Sequence, residues 1–396
     1  MNKMSLLERK LKVEKEFSLR YGASPQVWVR APGRVDLMGS HTDYNMGFVM
    51  TMTINRDTWI AARPRQDARV RISSLDFEGV SEFGLEHITK DLHTPWANYV
   101  RGMAKMLSEA GYPLSGFDGL IHSTVPLSSG LSSSAALEMA AGVLFQQVGR
   151  FDLDPVEMAL LGQRAENLFV GVNSGILDQY SSALGEENRT LLLDCRELTS
   201  RPVQIAAGLQ VVICDTNAKR TLVGSEYDER RAQCEAGVAV LRSHYPEIRA
   251  LRDVRMHQFE AVRKQMPEVV QRRCLFILQE NQRVLDLEPP LAAGDEGRLK
   301  ALFSASYQGA RDLYEIGAPA MTHMMDAMLG APGVIAARQA GAGFGGCLIA
   351  LVKEGSVDDF SLFVQEDYFK RAGIQARIYP VIASPGAGVI DWDGSG

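Results

Sequence analysis

Residues 31–45 read APGRVDLMGSHTDYN and combine many hydrogen-bonding side chains with short, bendable backbone. Gly33 and Gly39 interrupt the stretch, and apolar residues such as Val35 and Val49 are interleaved with it or follow it. This pattern predicts a strand, a turn and a second strand whose polar groups lie near a core. It fits either a plain polar hairpin or a site that binds a polyhydroxylated molecule. The hydrogen-bonding residues are Arg34, Asp36, Ser40, His41, Asp43, Tyr44 and Asn45.

The composition of the whole chain is that of an ordinary globular protein. Its 396 residues, of which 46% are hydrophobic, are enough for large buried cores and predict two domains. A formal net charge of −6 gives no global attraction to nucleic acid or to an anionic membrane, so a phosphate group must be captured locally. Five cysteines without CxxC spacing argue against a disulfide framework and a structural zinc site. A charged N-terminal stretch and the lack of a bilayer-length apolar run predict a cytoplasmic protein.

Hydrophobic periodicity predicts a mixture of helices and strands arranged in blocks. Residues 287–297, LEPPLAAGDEG, are predicted to form a surface loop because they contain adjacent prolines and two glycines. The predicted helices are 6–21, 96–110, 155–169, 226–245, 256–266, 272–286 and 296–315, with another after the serine-rich loop at 126–136 and a last one near the C-terminus. Strands are predicted at 27–30, within 48–64 and 68–83, and at 119–123, 190–194, 209–215 and 347–352.

The serine-rich loop, residues 126–136 (PLSSGLSSSAA), leads directly into an apolar helical pattern. Unpaired N–H groups and the positive dipole end at a helix start favour an anion. An ordinary serine N-cap is the alternative, but three successive serines exceed what a cap requires. The chain has no Gly-Lys pair, which excludes a P-loop, and the glycines of residues 341–346 precede a strand, which argues against a dinucleotide site.

Glu166 and Asp178 bracket residues 167–177, a segment with a turn at Gly175. Either acid alone fits a solvated charge at a helix end. Near an anion-binding loop, however, a Glu and an Asp can divide two tasks of phosphoryl transfer from ATP. One carboxylate binds the metal ion, and the other orients or deprotonates the acceptor hydroxyl.

Three separated motifs, at 32–45, 126–136 and 341–347 (GAGFGGC), resemble those of the galactokinase branch of the galactokinase, homoserine kinase, mevalonate kinase and phosphomevalonate kinase superfamily. The resemblance to galactokinase sequences extends to residues 166–182, 191–196 and 217–235, so it covers nearly the full chain. It implies an α+β fold of two domains, 1–199 and 200–396, with mixed sheets, flanking helices and the active site between the lobes. The implied activity is ATP-dependent phosphorylation of the anomeric hydroxyl of a galactose-configured sugar.

The resemblance also implies roles for individual residues. Asp178 would act on the anomeric hydroxyl as base or orienting group, with Arg34 as the cation beside it, and Ser134 and Glu166 would bind Mg²⁺. Packing is the alternative role for Tyr227. The expected sugar contacts are Ser40, His41, Asp43, Gly175 and Tyr227, and the expected ATP phosphate loop is Ser128, Ser129, Gly130, Leu131, Ser132, Ser133 and Ser134.

Two positions within residues 31–45 depart from the usual family sequence, which has Asn where this chain has Asp36 and Glu where it has Ser40. The family Glu lies near the C6 hydroxyl of galactose, so its loss predicts a smaller, neutral pocket wall. A serine can donate a hydrogen bond to a C6 carboxylate, which makes galacturonate an alternative substrate. Residues 52–64 and 70–79 also resemble plant-type galacturonokinases. L-arabinose, which lacks C6, is a further alternative, and galactose is the third.

A non-catalytic sugar and ATP sensor is the competing class, since some galactokinase relatives act in that way. Such proteins are expected to carry a damaged phosphate loop. Here the text GLSSSAA is intact, and Glu166, Asp178 and Arg34 are present. The sequence therefore favours an enzyme over a sensor.

Overall fold

The structure, a computed structural model, describes residues 5–127, 129–218 and 223–392, with the backbone alone for 223–225. The first half contains α1 (Leu6–Tyr21), β1 (Val27–Met38), β2 (Phe48–Pro64), β3 (Arg69–Ser74), β4 (Val80–Gly84), α2 (Asn98–Glu109), β5 (Phe117–Ser123), α3 (Ser133–Gly149), α4 (Pro155–Arg164), α5 (Leu177–Leu184), β6 (Arg189–Asp194) and β7 (Thr199–Gln204). The second contains β8 (Leu209–Asp215), α6 (Val223–His244), α7 (Met256–Val262), α8 (Glu268–Ala293), α9 (Glu296–Asp312), α10 (Pro319–Gly330), β9 (Val334–Gln339), β10 (Cys347–Lys353), α11 (Val357–Ala372), β11 (Arg377–Val381) and β12 (Gly388–Val389).

Two sheets organise the described chain. The larger has the order β12-β1-β2-β5-β3-β4, with β6 paired to β2 and β7 paired to β6, and it is mixed because β3 and β5 run parallel. The smaller is antiparallel with the order β11-β8-β10-β9. These sheets and their flanking helices confirm the predicted α+β fold. No helix in the described ranges is long and apolar enough to cross a membrane.

The chain passes from the larger sheet to the smaller one between Gln204 and Leu209, and β12 returns to pair with β1. The division into domains 1–199 and 200–396 stays a prediction. One hydrophobic core lies between the larger sheet and helices α2 and α3 and contains the fully buried Phe117 and Leu144. Another joins β1 and β2 to α8 and the smaller sheet through residues such as Leu37. The C-terminal half of β1 therefore packs in the core that joins the larger sheet to the smaller one.

The predicted loop at 287–297 is wrong over most of its length, because α8 continues to Ala293 and includes Pro289 and Pro290. A proline inside a helix costs about 3 kcal/mol. Leu287 and Leu291 are one helical turn apart and fully buried, and burying a leucine contributes about 1.5–3 kcal/mol. The two prolines together cost about 6 kcal/mol, and burial of the two leucines contributes about 3–6 kcal/mol, which offsets most of that cost. Helix α8 ends only at Gly294, which has a left-handed φ of 70°.

Candidate active site

A cleft of about 490 Å³ lies between the two halves of the chain and gathers residues from all three sequence motifs. Of the predicted phosphate-loop residues, Ser128 lies outside the described residues. The hydroxyl of Ser129 donates to the carbonyl of Pro126 at 2.7 Å. The other predicted site residues all line the cleft. They are Arg34, Ser40, His41, Asp43, Gly130, Leu131, Ser132, Ser133, Ser134, Glu166, Gly175, Asp178 and Tyr227.

The serine-rich loop approaches β1 closely just before α3 begins. The Arg34 amide and guanidinium donate to the carbonyls of Leu131 at 3.2 Å and Gly130 at 2.7 Å. A Cβ atom on Gly33 would lie 2.7 Å from the Leu131 carbonyl, so only glycine permits this approach. Ser132 has a left-handed φ of 57° and turns the chain into α3. The positive end of α3 consequently faces the cleft beside Arg34.

Arg34 and Asp178 form an ion pair at the centre of the cleft. Arg34 Nε donates to Asp178 Oδ1 at 2.8 Å, and Arg34 Nη2 donates to the same oxygen. The hydroxyl of Ser132 donates to Asp178 Oδ2. The carboxylate lies in the first turn of α5, where the helix dipole favours negative charge. The predicted cation is thus in contact with the predicted acid, and Ser132 links both to the serine-rich loop.

Glu166 lies on a π-helical segment, Ala165–Val170, that continues α4. Its Oε2 atom accepts from Ser174 Oγ at 2.5 Å and from Gln179 Nε2 at 2.9 Å, and Ser134 also hydrogen-bonds to it. Burial raises the pKa of Glu166, and the nearby charge of Asp178 adds to the rise. A buried acid at the cleft wall, next to the helix start, suits a cation ligand.

Glu138 is a fully buried acid that sequence reasoning missed. Its Oε2 atom accepts from Gln179 Nε2 at 2.9 Å, so the amide of Gln179 joins two buried carboxylates. Burial raises the pKa of Glu138 well above its usual range, and the charge of Glu166 adds to this effect. The spacing of Ser134 and Glu138, one helical turn apart on α3, was the available signal.

Asp43 and Gly175 meet on the sugar side of the cleft. A Cβ atom on Gly175 would lie 1.8 Å from Asp43 Oδ2, so the Asp43 carboxylate occupies space that any other residue at 175 would fill. Burial raises the pKa of Asp43 to about 6, and the charge of Asp178 contributes to the shift. The contact explains why a glycine is needed at this position.

His41 connects the sugar-side turn to the glycine-rich loop at 341–346. Its Nε2 atom lies 3.0 Å from the carbonyl of Ala342, and its Nδ1 atom lies 2.9 Å from the hydroxyl of Tyr44. A carbonyl only accepts, so Nε2 carries the hydrogen and Nδ1 accepts from Tyr44. Burial lowers the pKa of His41 to about 4, which keeps the ring neutral at pH 7. The Tyr227 ring packs 5.3 Å from the His41 ring and also lines the cleft. Its contact with the sugar stays a prediction.

Ser40 does not present a simple neutral wall, in contrast to the expectation from its sequence. Its hydroxyl donates to Asp36 Oδ2 at 2.6 Å and accepts from Arg338 Nη2 at 2.8 Å. The other Asp36 oxygen accepts from the Gly341 amide at 2.6 Å. Asp36 and Ser40 both line the cleft and Arg338 is fully buried behind them. A carboxylate therefore remains in this wall, one hydrogen bond from Ser40.

The glycine-rich loop between β9 and β10 closes the cleft from the second half of the chain. A Cβ atom on Gly343 would lie 2.5 Å from the carbonyl of Ile316, and Phe344 N donates to that carbonyl at 2.8 Å. Gly341 approaches the Gly130 carbonyl of the serine-rich loop. The glycines thus allow close backbone contacts. The element that follows them is the strand β10, whereas a dinucleotide-binding loop would lead into a helix.

The fold and the cleft are those of a small-molecule kinase of the galactokinase, homoserine kinase, mevalonate kinase and phosphomevalonate kinase (GHMP) superfamily. The "GHMP kinases N terminal domain" signature matches residues 98–186, "GHMP kinases C terminal" matches 287–370, and the "Galactokinase galactose-binding signature" matches 15–64. A mevalonate kinase structure, 18% identical with a TM-score of 0.61 over 91% of this chain and 100% of that one, shares the fold.

Closer relatives are galactokinases. Curated galactokinases of Chloroflexus aggregans and Roseiflexus sp. are 43% and 42% identical, over 94% and 95% of this chain and 95% and 96% of theirs. The structure of Lactococcus lactis galactokinase complexed with galactose is 33% identical, with a TM-score of 0.93 over 96% of this chain and 100% of that one. The chain belongs to the galactokinase family, whose members are ATP-dependent sugar kinases.

Proposed function

We propose that the protein phosphorylates the anomeric hydroxyl of galactose with ATP. The observation that carries the proposal is the contact of Arg34, Asp178 and Ser132, which brings an acid for the sugar hydroxyl to the edge of the serine-rich loop. The sugar would lie among Asp43, His41 and Tyr227, and the nucleotide phosphates would lie against the start of α3. A cytoplasmic location is part of the proposal, because the reaction consumes ATP.

Asp178 would act mainly by holding the sugar hydroxyl in line with the phosphoryl group. Its carboxylate pairs with Arg34 and accepts from Ser132, and a carboxylate is a weak base toward an alcohol. In a loose transition state the proton leaves the hydroxyl late, so orientation contributes more than early abstraction. Each carboxylate oxygen has two acceptor positions, so Asp178 Oδ2 can accept from the sugar as well as from Ser132.

Ser134 and Glu166 are the proposed Mg²⁺ ligands. Five acids and one arginine are the charged side chains among the described residues that line the cleft, and the carboxylates belong to Asp36, Asp43, Glu166, Asp178 and Asp228. Glu138 Oε1 and Gln179 Oε1 are also buried beside Glu166 without a hydrogen-bond partner among the described atoms. Such a surplus of acceptor oxygens fits a hard divalent cation. When bound, Mg²⁺ neutralises charge on the triphosphate and on the transferred phosphoryl group.

The charge of the cleft favours galactose over galacturonate as the substrate. An anionic sugar would meet several carboxylates, with Arg34 already paired to Asp178. A neutral hexose avoids this repulsion and can donate hydroxyl hydrogens to the same acids. The galactose-binding signature at residues 15–64 supports the same choice.

The test is an assay of ADP release with ATP and Mg²⁺ and each of galactose, galacturonate, L-arabinose and N-acetylgalactosamine. Galactose should be the best substrate. Asp178→Ala should lower kcat by at least about 10²-fold, the cost of losing the group that positions the reacting hydroxyl. Asp118→Asn, which alters two ion pairs outside the cleft, is the matched control and should keep the activity. Unchanged turnover in Asp178→Ala would contradict the assigned role, and binding of sugar and ATP without turnover would identify a sensor.

A further inference from the structure

We propose that Asp36 determines which group the enzyme accepts at C6 of the sugar. By taking the hydroxyl hydrogen of Ser40, Asp36 makes this wall an acceptor of hydrogen bonds, so that it binds a C6 hydroxyl and rejects a C6 carboxylate. The inference rests on the proposed function, with the C6 group of galactose facing Ser40.

The orientation of Asp36 is fixed from both sides. The side chain is fully buried, Oδ1 accepts from the Gly341 amide at 2.6 Å, and Oδ2 accepts from Ser40 Oγ at 2.6 Å. An amide N–H can only donate, so Oδ1 must remain an acceptor. The second oxygen therefore stays directed at Ser40.

The hydrogen-bonding capacity of Ser40 is almost fully used in this arrangement. A hydroxyl has one hydrogen and two lone pairs. The hydrogen goes to Asp36, and one lone pair accepts from Arg338 Nη2 at 2.8 Å. One lone pair remains for the cleft. The hydroxyl of a neutral hexose can donate to it, whereas a carboxylate has no hydrogen to offer.

The charges behind Ser40 give a uronate no compensation. Arg338 is fully buried and lies 3.6 Å from Asp36 Oδ2 and 3.2 Å from Glu280 Oε1. Glu280 in turn pairs with Arg283 at 2.8 Å. These two carboxylates and two guanidinium groups balance each other, so no net positive charge is left for a C6 carboxylate.

Asp36→Asn should reverse the polarity of this wall. The Gly341 amide needs the single amide oxygen of Asn, so the NH₂ group faces Ser40 and donates to it. Ser40 then accepts from both neighbours, and its hydrogen is free to point into the cleft. Arg338 also loses one anionic partner. Both changes favour a carboxylate at C6.

The experiment compares kcat/KM for galactose, galacturonate and L-arabinose in the wild-type enzyme and in Asp36→Asn. The ratio of galacturonate to galactose should rise at least about tenfold in the variant, the effect of one gained charge-assisted hydrogen bond. L-arabinose has no C6 and serves as the internal reference for general damage. If all three sugars change by the same factor, Asp36 is structural only and the inference fails.

Two further variants separate the hydrogen bond from the charge. Glu280→Gln removes an equally buried anionic partner of Arg338 but leaves the hydrogen of Ser40 on Asp36, so it should not raise the ratio as Asp36→Asn does. An equal rise would overturn the assignment. Ser40→Ala keeps the carboxylate and should keep the rejection of galacturonate, and a higher ratio there would also overturn it, even if Asp36→Asn failed to fold. Wild-type enzyme that does not phosphorylate galactose would refute the proposed function instead.

Discussion

Gly175→Ala is the sharpest test of the sugar side of the cleft, because it adds one methyl group at a position without backbone strain. Gly175 is not among the residues with a positive φ, so alanine fits its backbone. The added carbon would lie 1.8 Å from Asp43 Oδ2 and 2.4 Å from Asp43 Cγ. Since carbon and oxygen atoms in contact normally stay more than about 3 Å apart, the carboxylate oxygen must move by at least roughly 1.2 Å.

The displaced group is the end of a side chain, so the fold should tolerate the change while the sugar contact is lost. A misplacement of about 1 Å in a positioning group can cost about 10²-fold in rate. We therefore expect kcat/KM for galactose to fall about 10²-fold in Gly175→Ala, with nucleotide binding unchanged. Gly84→Ala is the matched control, because its added carbon meets no atom within 4 Å and its φ is also ordinary.

A double-mutant cycle isolates the contact. Asp43→Ala removes the group that the new methyl displaces, so adding Gly175→Ala to it should cause no further loss of kcat/KM for galactose. Thermal unfolding and binding of a non-hydrolysable ATP analogue would be measured on all four proteins. Losses that multiply in the double variant, or a Gly175→Ala enzyme with wild-type kcat/KM for galactose, would refute the reasoning.

Three other predictions concern protonation, metal and stability. Burial raises the pKa of Asp43 to about 6, so the carboxylate gains a proton as the pH falls through that value. The kcat/KM for galactose should then drop about tenfold per pH unit below pH 6. The pH profile of Asp43→Asn should lack this acidic decline in kcat/KM. Glu166→Gln should raise the Mg²⁺ concentration for half-maximal rate by more than about tenfold, and a titration that matches the wild type would remove Glu166 from the metal site. Asp57→Ala leaves the buried Arg9 unpaired and should lower the free energy of unfolding by about 3 kcal/mol in denaturant, with KM for galactose unchanged.

Hydrophobic periodicity and end signals predicted the helices and strands whose bounds depend on nearby residues. Helix 6–21 and strand 48–64 match α1 and β2 because their hydrophobic period and their end signals agree, as at Gly22, which ends α1 with a left-handed φ of 72°. The last turns of α8 did not follow this rule, since Pro289 and Pro290 signal a break that only the burial of Leu287 and Leu291 overrides. That burial depends on β8, α9 and the larger sheet, which no local window contains.

The same distinction holds for the candidate site. Motif residues such as Arg34 and Asp178 were predicted to lie together because the resemblance spans both segments, and the structure places them in contact. Glu138 and Arg338 were not predicted, because their importance comes from partners distant in sequence. Arg338 reaches Ser40 from 298 positions away, and no pattern around either residue signals that contact.

Asp36 and Ser40, the two departures from the family sequence within residues 31–45, are best explained together. Considered alone, Ser40 removes a carboxylate from the C6 wall and points toward a uronate. Asp36, however, adds a carboxylate that lies 2.6 Å from the Ser40 hydroxyl and takes its hydrogen. The acceptor character of the wall is thus retained, and its carboxylate belongs to β1 rather than to the turn that follows it. A pair of substitutions that moves the carboxylate from one position to the other should preserve the preference for a neutral sugar, because Asp36 replaces the carboxylate that Ser40 lacks.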